Sequence, residues 1–262
     1  MSKLLIGMVH LPALPGAPQS ATPLEAIEER ALADARLLHG AGFDGCVVEN
    51  FGDSPFHKDA VEPVTVAAMA RIVAALCRAL PGWRVGVNVL RNDAASALAI
   101  ASTCGGRFVR VNVHVGATAT DQGMVEGRAA ETLRQRRALG SNVEIWADVH
   151  VKHGRSLAHA TIEAEAEDVV KRGHADAVIV SGAGTGLPTD LEDLRRVAAL
   201  SLGVPLIAGS GVTADSAATI LQSADGVIVG TALEKASRPG ALLDADRVRR
   251  FVEVARAVRT VR

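Results

Sequence analysis

The sequence predicts a single (β/α)8 barrel of the TIM type, spanning residues 1–262, with its site in loops at the carboxyl-terminal face. Two patterns and one missing motif carry that prediction. Eight short runs rich in Val, Ile and Leu recur along the chain. Stretches with apolar residues at helical spacing separate them. No G-x-G-x-x-G follows the first run, which disfavours the doubly wound open sheet built from the same units.

The eight runs fall at residues 4–9, 45–48, 84–89, 108–113, 143–149, 177–180, 204–208 and 226–229. Near-continuous apolar strands of this kind are buried on both faces, as in a parallel sheet covered by helices. After the first run, Leu24, Ile27, Ala31, Ala35 and Leu38 share one helical face. After the second, Met69, Ile72, Val73, Leu76 and Leu80 do the same, and Val248, Phe251, Val252, Ala255 and Val258 close the chain. Strand alternation then sets parity. If the valines of the third and fourth runs pack outward, Gly86, Asn88, Arg110 and Asn112 point into the barrel. The same parity on the fifth run aligns Glu144, Trp146, Asp148 and His150.

Composition removes several function classes. Lys and Arg number 28 against 29 Asp and Glu, for a net charge of −1, without the basic footprint of a nucleic-acid binder. Five Phe, two Trp and no Tyr argue against aromatic platforms for single strands. Hydrophobic residues make up 48% of the chain, which excludes disorder. Cys46, Cys77 and Cys104 form no CxxC pair, so neither a disulfide framework nor a structural zinc site is expected. A cytoplasmic protein with no membrane-spanning helix and no cofactor is the expectation. Association into a homo-oligomer is expected only on general grounds.

The glycine-rich loops point to an anion. Ala208-Gly-Ser-Gly-Val-Thr213 follows the seventh run, and Gly230-Thr231 follows the eighth. Phosphate-binding barrels place their site there. Gly209, Gly211 and Gly230 let backbone N–H groups approach the anion, while Ser210 and Thr231 add hydroxyls. A helix starting near 213–215 would aim its positive end at the same place. Tight strand-to-helix turns are the plainer reading of each glycine alone. Ser181-Gly-Ala-Gly-Thr-Gly186 adds a third flexible loop.

Candidate reactive groups lie at the strand ends. Glu49 ends the second run ahead of the loop at 50–56, where a partly buried carboxylate could serve as a general base. Asp93 is either a substrate ligand or a helix cap, as is its neighbour Asn92. In Asp148-Val-His-Val-Lys-His153, alternation places Asp148, His150 and Lys152 on one side. Lys152 suits electrostatic work better than a Schiff base, which needs more special geometry. No metal is expected, because the His-x-His at the first strand and the Asp at the eighth of metal-dependent barrel hydrolases are absent; His10, Glu49 and Asp148 could still assemble a site. No G-x-S-x-G elbow is present.

Several motifs together resemble the BtpA family, with its SgcQ-type members. They are Gly7-Met-Val-His-Leu-Pro-Ala-Leu-Pro-Gly16, Val48-Glu-Asn-Phe-Gly-Asp-Ser-Pro-Phe56 and Gly86-Val-Asn-Val-Leu-Arg-Asn-Asp93. Arg110-Val-Asn-Val113, Thr120-Asp-Gln-Gly123 with Glu126-Gly127, and Ala147-Asp-Val-His-Val-Lys-His153 continue the likeness. So do Gly209-Ser-Gly-Val212 and Gly226-Val-Ile-Val-Gly-Thr231. The resemblance runs from the first run to the eighth and implies a TIM barrel. It also implies a link to photosystem I biogenesis or to carbohydrate metabolism, but no agreed reaction and no catalytic assignment.

The leading expectation is an enzyme on a small phosphorylated sugar or related metabolite, of isomerase, epimerase or lyase type. Glu49 or Asp148 would abstract a proton beside a carbonyl. Lys152, Arg110, Asn88 and Asn112 would hold substrate oxygens, with Asp93 and His150 also at the substrate. The loop at 50–56 would exclude water. The alternatives are a non-catalytic assembly factor, which would expose an apolar patch, and a metal-dependent hydrolase.

Overall fold

The computed structural model describes residues 3–151, 153–182 and 190–259, without the side chains of residues 258 and 259. Lys152, residues 183–186 of the third glycine loop and the Val258 side chain therefore lie outside the described residues.

Eight parallel strands close on themselves: β1 (Leu4–His10), β2 (Gly45–Glu49), β3 (Arg84–Asn88), β4 (Phe108–Val111), β7 (Glu144–Val149), β9 (Ala177–Val180), β10 (Leu206–Ala208) and β11 (Gly226–Val229). β1 pairs with both β2 and β11, which shuts the barrel and leaves none of these strands with a free edge. Among the described residues, eight α-helices cover the outside: α1 (Leu24–Ala41), α2 (Pro63–Ala79), α3 (Ala94–Cys104), α4 (Ala129–Ala138), α5 (Ile162–Lys171), α6 (Leu191–Ala199), α7 (Ala214–Ser223) and α8 (Ala245–Arg259). Their stops and starts are chemical. Gly42, at φ 100°, ends α1 by donating its N–H to the carbonyls of Leu38 and His39. Thr213 and Ser216 form a reciprocal capping box at the start of α7.

Alternation sorts the strand side chains into two cores. Residues such as Val48, Val85, Val87 and Val109 face the helices. Ile6, Met8, Val47, Phe108, Trp146, Ile179, Ile207 and Ile228 fill the barrel interior. Phe108 and Trp146 stack with centroids 3.9 Å apart, and the Phe108 ring occupies the space a side chain at Gly86 would need. That explains a glycine in the middle of β3. Glu144, aligned with Asp148 by parity, sits at the opposite end of the barrel. There it pairs with Arg84 at 2.9 Å and accepts the Trp146 Nε1–H at 2.9 Å. It closes the amino-terminal mouth and takes no part in the carboxyl-terminal site.

A second, antiparallel sheet was not expected from the sequence. β5 (Ala117–Thr120) and β6 (Gly123–Glu126) form a hairpin between β4 and α4, and β8 (Gly154–Ser156) joins them from the segment between β7 and α5. The register pairs Thr120 with Gly123 across a two-residue turn, and Gly123 takes φ 96° to make it. Val113, Val125 and Val151 form a small apolar cluster of their own. Among the described residues, no helix is long and apolar enough to cross a membrane.

Candidate functional site

The inward parity that fills the barrel with Ile and Phe turns polar in its last layer. Going round the carboxyl-terminal ends, the inward residues are His10, Glu49, Asn88, Arg110 with Asn112, Asp148, Ser181, Gly209 and Gly230. All the polar members are buried.

Asp148 is the hub of one half of this ring. Its Oδ1 accepts from Arg110 Nη2 at 2.8 Å and Ser181 Oγ at 3.0 Å. Its Oδ2 accepts from Arg110 Nε at 2.9 Å and Asn112 Nδ2 at 2.8 Å. Asn88 Nδ2 in turn donates to Asn112 Oδ1 at 3.3 Å and to the Arg110 carbonyl at 3.2 Å. Burial opposes the Arg110 charge, but the paired carboxylate outweighs it and raises the guanidinium pKa. Arg110 Nη1 has no hydrogen-bond partner among the described residues, and Arg110 lines the main cavity. A fixed, fully charged cation therefore faces the space where a ligand would sit.

That cavity has a volume of about 690 Å³. Its floor is Met8, His10 and Arg110; its walls are the segments 209–215 and 230–233; its outer rim carries Arg247 and Arg250 from α8. The N–H groups of Gly211, Val212, Thr231 and Ala232 donate to no acceptor among the described residues. They line this cavity together with the first turn of α7. Gly211 holds φ 65°, a conformation a glycine adopts without strain.

The chain matches the BtpA family over residues 1–257. The chain belongs to the BtpA family. The photosystem I biogenesis protein BtpA of Synechocystis sp. is 46% identical over 249 residues, covering 95% of this chain and 86% of that protein. Among solved structures, tryptophan synthase of Mycobacterium tuberculosis matches with a TM-score of 0.62 at 19% identity, covering 100% of this chain and 94% of that one. (S)-3-O-geranylgeranylglyceryl phosphate synthase of Thermoplasma acidophilum, in complex with sn-glycerol-1-phosphate, matches with a TM-score of 0.60 at 18% identity, covering 98% and 94%. At these identities the likeness shows the shared barrel.

In this BtpA-family barrel the sequence-predicted residues divide into three groups. Gly209, Ser210, Gly211, Gly230 and Thr231 all line the one cavity that Arg110 also reaches. The Ser210 hydroxyl accepts the Gly182 N–H at 2.7 Å, tying the sixth and seventh strand-end loops together. Asn88, Asn112 and Asp148 come together, but as the buried network that holds Arg110. With four donors filling its two oxygens, Asp148 is placed to fix a cation and poorly placed to take a proton from a substrate.

Two expectations are corrected. Asp93 is the N-cap of α3: its Oδ1 accepts the Ser96 N–H at 2.9 Å, and its Oδ2 takes the Ser96 hydroxyl at 2.7 Å and the Val61 N–H at 2.9 Å. Those bonds commit both of its oxygens to the helix and to the loop above. His150 leaves the strand parity because β7 ends at Val149 and His150 turns to φ 46°. Its Nε2 lies 3.7 Å from Glu165 on α5, outside the barrel.

The loop at 50–56 is a wall more than a lid. Gly52 N donates to the Leu11 carbonyl at 2.9 Å, Asp53 accepts the Leu14 N–H at 2.8 Å, and Asn50 accepts the Leu90 N–H at 2.7 Å. Burial raises the Asp53 carboxyl pKa against those donors. Glu49 is buried beneath this wall, with His10 Nε2 at 3.6 Å from its Oε1. Among the described residues, no group of three His, Cys, Asp or Glu side chains is placed to hold a metal ion.

Two buried groups escaped the sequence reading. Glu234 lies just past β11, with 2% of its surface exposed, and its Oε1 is 2.7 Å from His10 Nδ1. Arg91 is buried beside the ring, and burial lowers its pKa against the pull of Asp148 and Glu49. Its place in Leu90-Arg-Asn-Asp93, at a strand end, was the available signal for Arg91. Glu234 had none, because its burial comes from the path of the chain after the last strand.

Proposed function

We propose that this protein binds a small phosphorylated, sugar-like metabolite and transforms it by proton transfer beside a carbonyl, in the manner of an isomerase, epimerase or lyase. The observation that carries the reading is the convergence on one cavity of four N–H groups, those of Gly211, Val212, Thr231 and Ala232, that have no acceptor among the described residues. Such donors, together with the positive end of α7, suit the three oxygens of a phosphate monoester. Ser210 and Gly230 line the same cradle, while the Gly209 N–H donates to the Val180 carbonyl at 2.7 Å and Gly209 only opens the turn. The shared fold with a synthase solved with sn-glycerol-1-phosphate is consistent with an anion at this end of a barrel.

Arg110 would then hold a carbonyl oxygen and the negative charge that develops on it. Asp148, Asn112 and Asn88 act on the ligand through Arg110. Of the two predicted bases, Glu49 is the one whose carboxylate is not already committed to several donors.

Titration calorimetry with inorganic phosphate and a panel of three- to six-carbon sugar phosphates tests the reading. Saturable binding is expected, and Gly211→Asp, which puts a carboxylate into the cradle, should weaken it by about tenfold or more, equivalent to ~1.4 kcal/mol. Absence of saturable binding for every anion tried would refute the proposal.

A second reading, an assembly factor for a protein complex, is favoured by one observation: the 46% identical relative is a photosystem I biogenesis protein. It predicts a stable protein partner and no metabolite affinity, which a tagged-protein pulldown run beside the calorimetry would reveal.

A further inference from the structure

His10 entered the sequence reading only as a weak metal ligand, yet it is the ionisable ring that forms part of the cavity floor. It ends β1, is 8% exposed, and packs against the Phe51 ring at 4.7 Å. Its two nitrogens face two different carboxylates. Nδ1 lies 2.7 Å from Glu234 Oε1, which also accepts the Gly240 N–H at 3.2 Å. Nε2 lies 3.6 Å from Glu49 Oε1, too long for a hydrogen bond. A carboxylate only accepts, so the short contact places a proton on Nδ1 and, in the neutral ring, leaves the lone pair on Nε2. Glu234 Oε2 is buried with no partner among the described residues, so the contacts this carboxylate makes there run through the oxygen facing His10. Glu49 itself does not line the cavity and meets it through the imidazole.

The ring also stands beside the proposed anion cradle. A Cβ built on Gly230 would fall 2.9 Å from His10 Cε1. The reacting carbon is therefore only a short chain away from the phosphate.

We propose that His10 is the catalytic acid–base residue of this barrel, held in its tautomer by Glu234, and that its substrate is a short α-hydroxycarbonyl phosphate. The proposal rests on the phosphate reading above. In the step, neutral His10 Nε2 takes a C–H proton from the carbon next to the carbonyl. The C–H electron pair becomes the C=C bond, and the carbonyl π pair moves onto oxygen, facing Arg110 Nη1. The hydroxyl proton passes between the two neighbouring oxygens, and Nε2 returns its proton to the former carbonyl carbon. Both the protein and the electron count are restored without oxidant or cofactor. Glu234, 2.7 Å from Nδ1, and Glu49, 3.6 Å from Nε2, flank the ring while it carries the transferred proton.

One base on one wall gives and takes on one face of the substrate. That matches a proton shift between adjacent carbons, an aldose–ketose isomerisation, better than inversion, which needs a second group on the opposite face. Asp215, the other acid lining the cavity, is engaged with Arg250 at 3.3 Å near the solvent rim.

The experiment incubates the protein in D2O with dihydroxyacetone phosphate and with ribulose 5-phosphate. Proton NMR follows loss of the C–H signal, and inorganic phosphate affinity is measured on the same samples. Wild type should exchange deuterium into the substrate and form the aldose isomer. His10→Gln should lower the exchange rate about 10²- to 10⁴-fold with phosphate affinity retained. Glu234→Gln should lower kcat about 10²-fold or more with KM little changed. It should also move the His10 ¹⁵N resonances, which in wild type report a protonated Nδ1. Exchange that survives His10→Gln, absence of exchange by a wild type that binds phosphate, or an unprotonated Nδ1 would each overturn the proposal. Failure to bind phosphate at all would instead remove the reading beneath it.

Discussion

Asp148 and Arg110 show how much of the site's rigidity sits in one residue pair. Both side chains are at most 2% exposed, and the contact is bidentate. Removing one partner of a buried pair leaves the other charge uncompensated, at a cost of about 3–5 kcal/mol. Asp148→Ala should therefore lower unfolding free energy by that amount in urea denaturation; a loss below ~1 kcal/mol would mean Arg110 finds another anion or water. Asp34 on α1 makes a prediction of opposite character. Burial pushes its carboxyl up to about 6 from 3.8, against the attraction of Arg30 at 3.8 Å. An acid whose folded pKa is raised contributes most below its unfolded value, and that contribution is lost as pH rises towards 6 and beyond, here by about 3 kcal/mol. Asp34→Asn should gain stability relative to wild type between pH 4 and pH 7, as read from denaturation curves at both ends. Parity revealed Arg110 and Asp148 in the sequence because each sits within or at the end of an alternating strand. The partnership of His10 with Glu234 was hidden, because 224 residues separate them and no spacing rule connects them.

At the level of elements, Asp93 separates a structural from a ligand-binding reading. Capping one end of α3 is worth about 0.5–2 kcal/mol, and the Val61 bond adds to it. Asp93→Ala should lower stability by roughly 1–2 kcal/mol in denaturation while leaving phosphate affinity within about twofold of wild type. A tenfold loss of affinity at unchanged stability would restore Asp93 to the site. The eight barrel strands were legible because each is a continuous apolar run buried on both sides. The strands of the small sheet were not, since they are three or four residues long and mix exposed Gly, Ala, Met, Arg and Glu without a continuous apolar run. Gly123 marked the hairpin turn, but nothing nearby marked its partner strand β8, which arrives from beyond β7. His150 was misplaced for a related reason: parity holds only while the strand lasts, and a positive φ after Val149 is not written in hydrophobicity.

Across the whole molecule, the main cavity sits where the barrel closes. β11 pairs with both β10 and β1, so the cradle at 209–212 and 230–232 borders the seam that joins the end of the barrel to its beginning. α7 and α8 pack beside it, and Arg250 of α8 reaches Asp215 of α7 across the cavity rim. A ligand held there bridges segments about 200 residues apart from the first strand, and these separate on unfolding. Binding that exists only in the closed barrel stabilises by RT ln(1 + [L]/Kd), about 2.7 kcal/mol at a hundredfold excess over Kd. For a chain of this size that corresponds to a rise in Tm of roughly 5–10 °C. Thermal melts over a phosphate or sugar-phosphate series should show that rise, with amide exchange slowing first in β10, β11 and the start of α7. A ligand acting elsewhere would raise Tm without that pattern of protection, and the seam would lose its claim to the site.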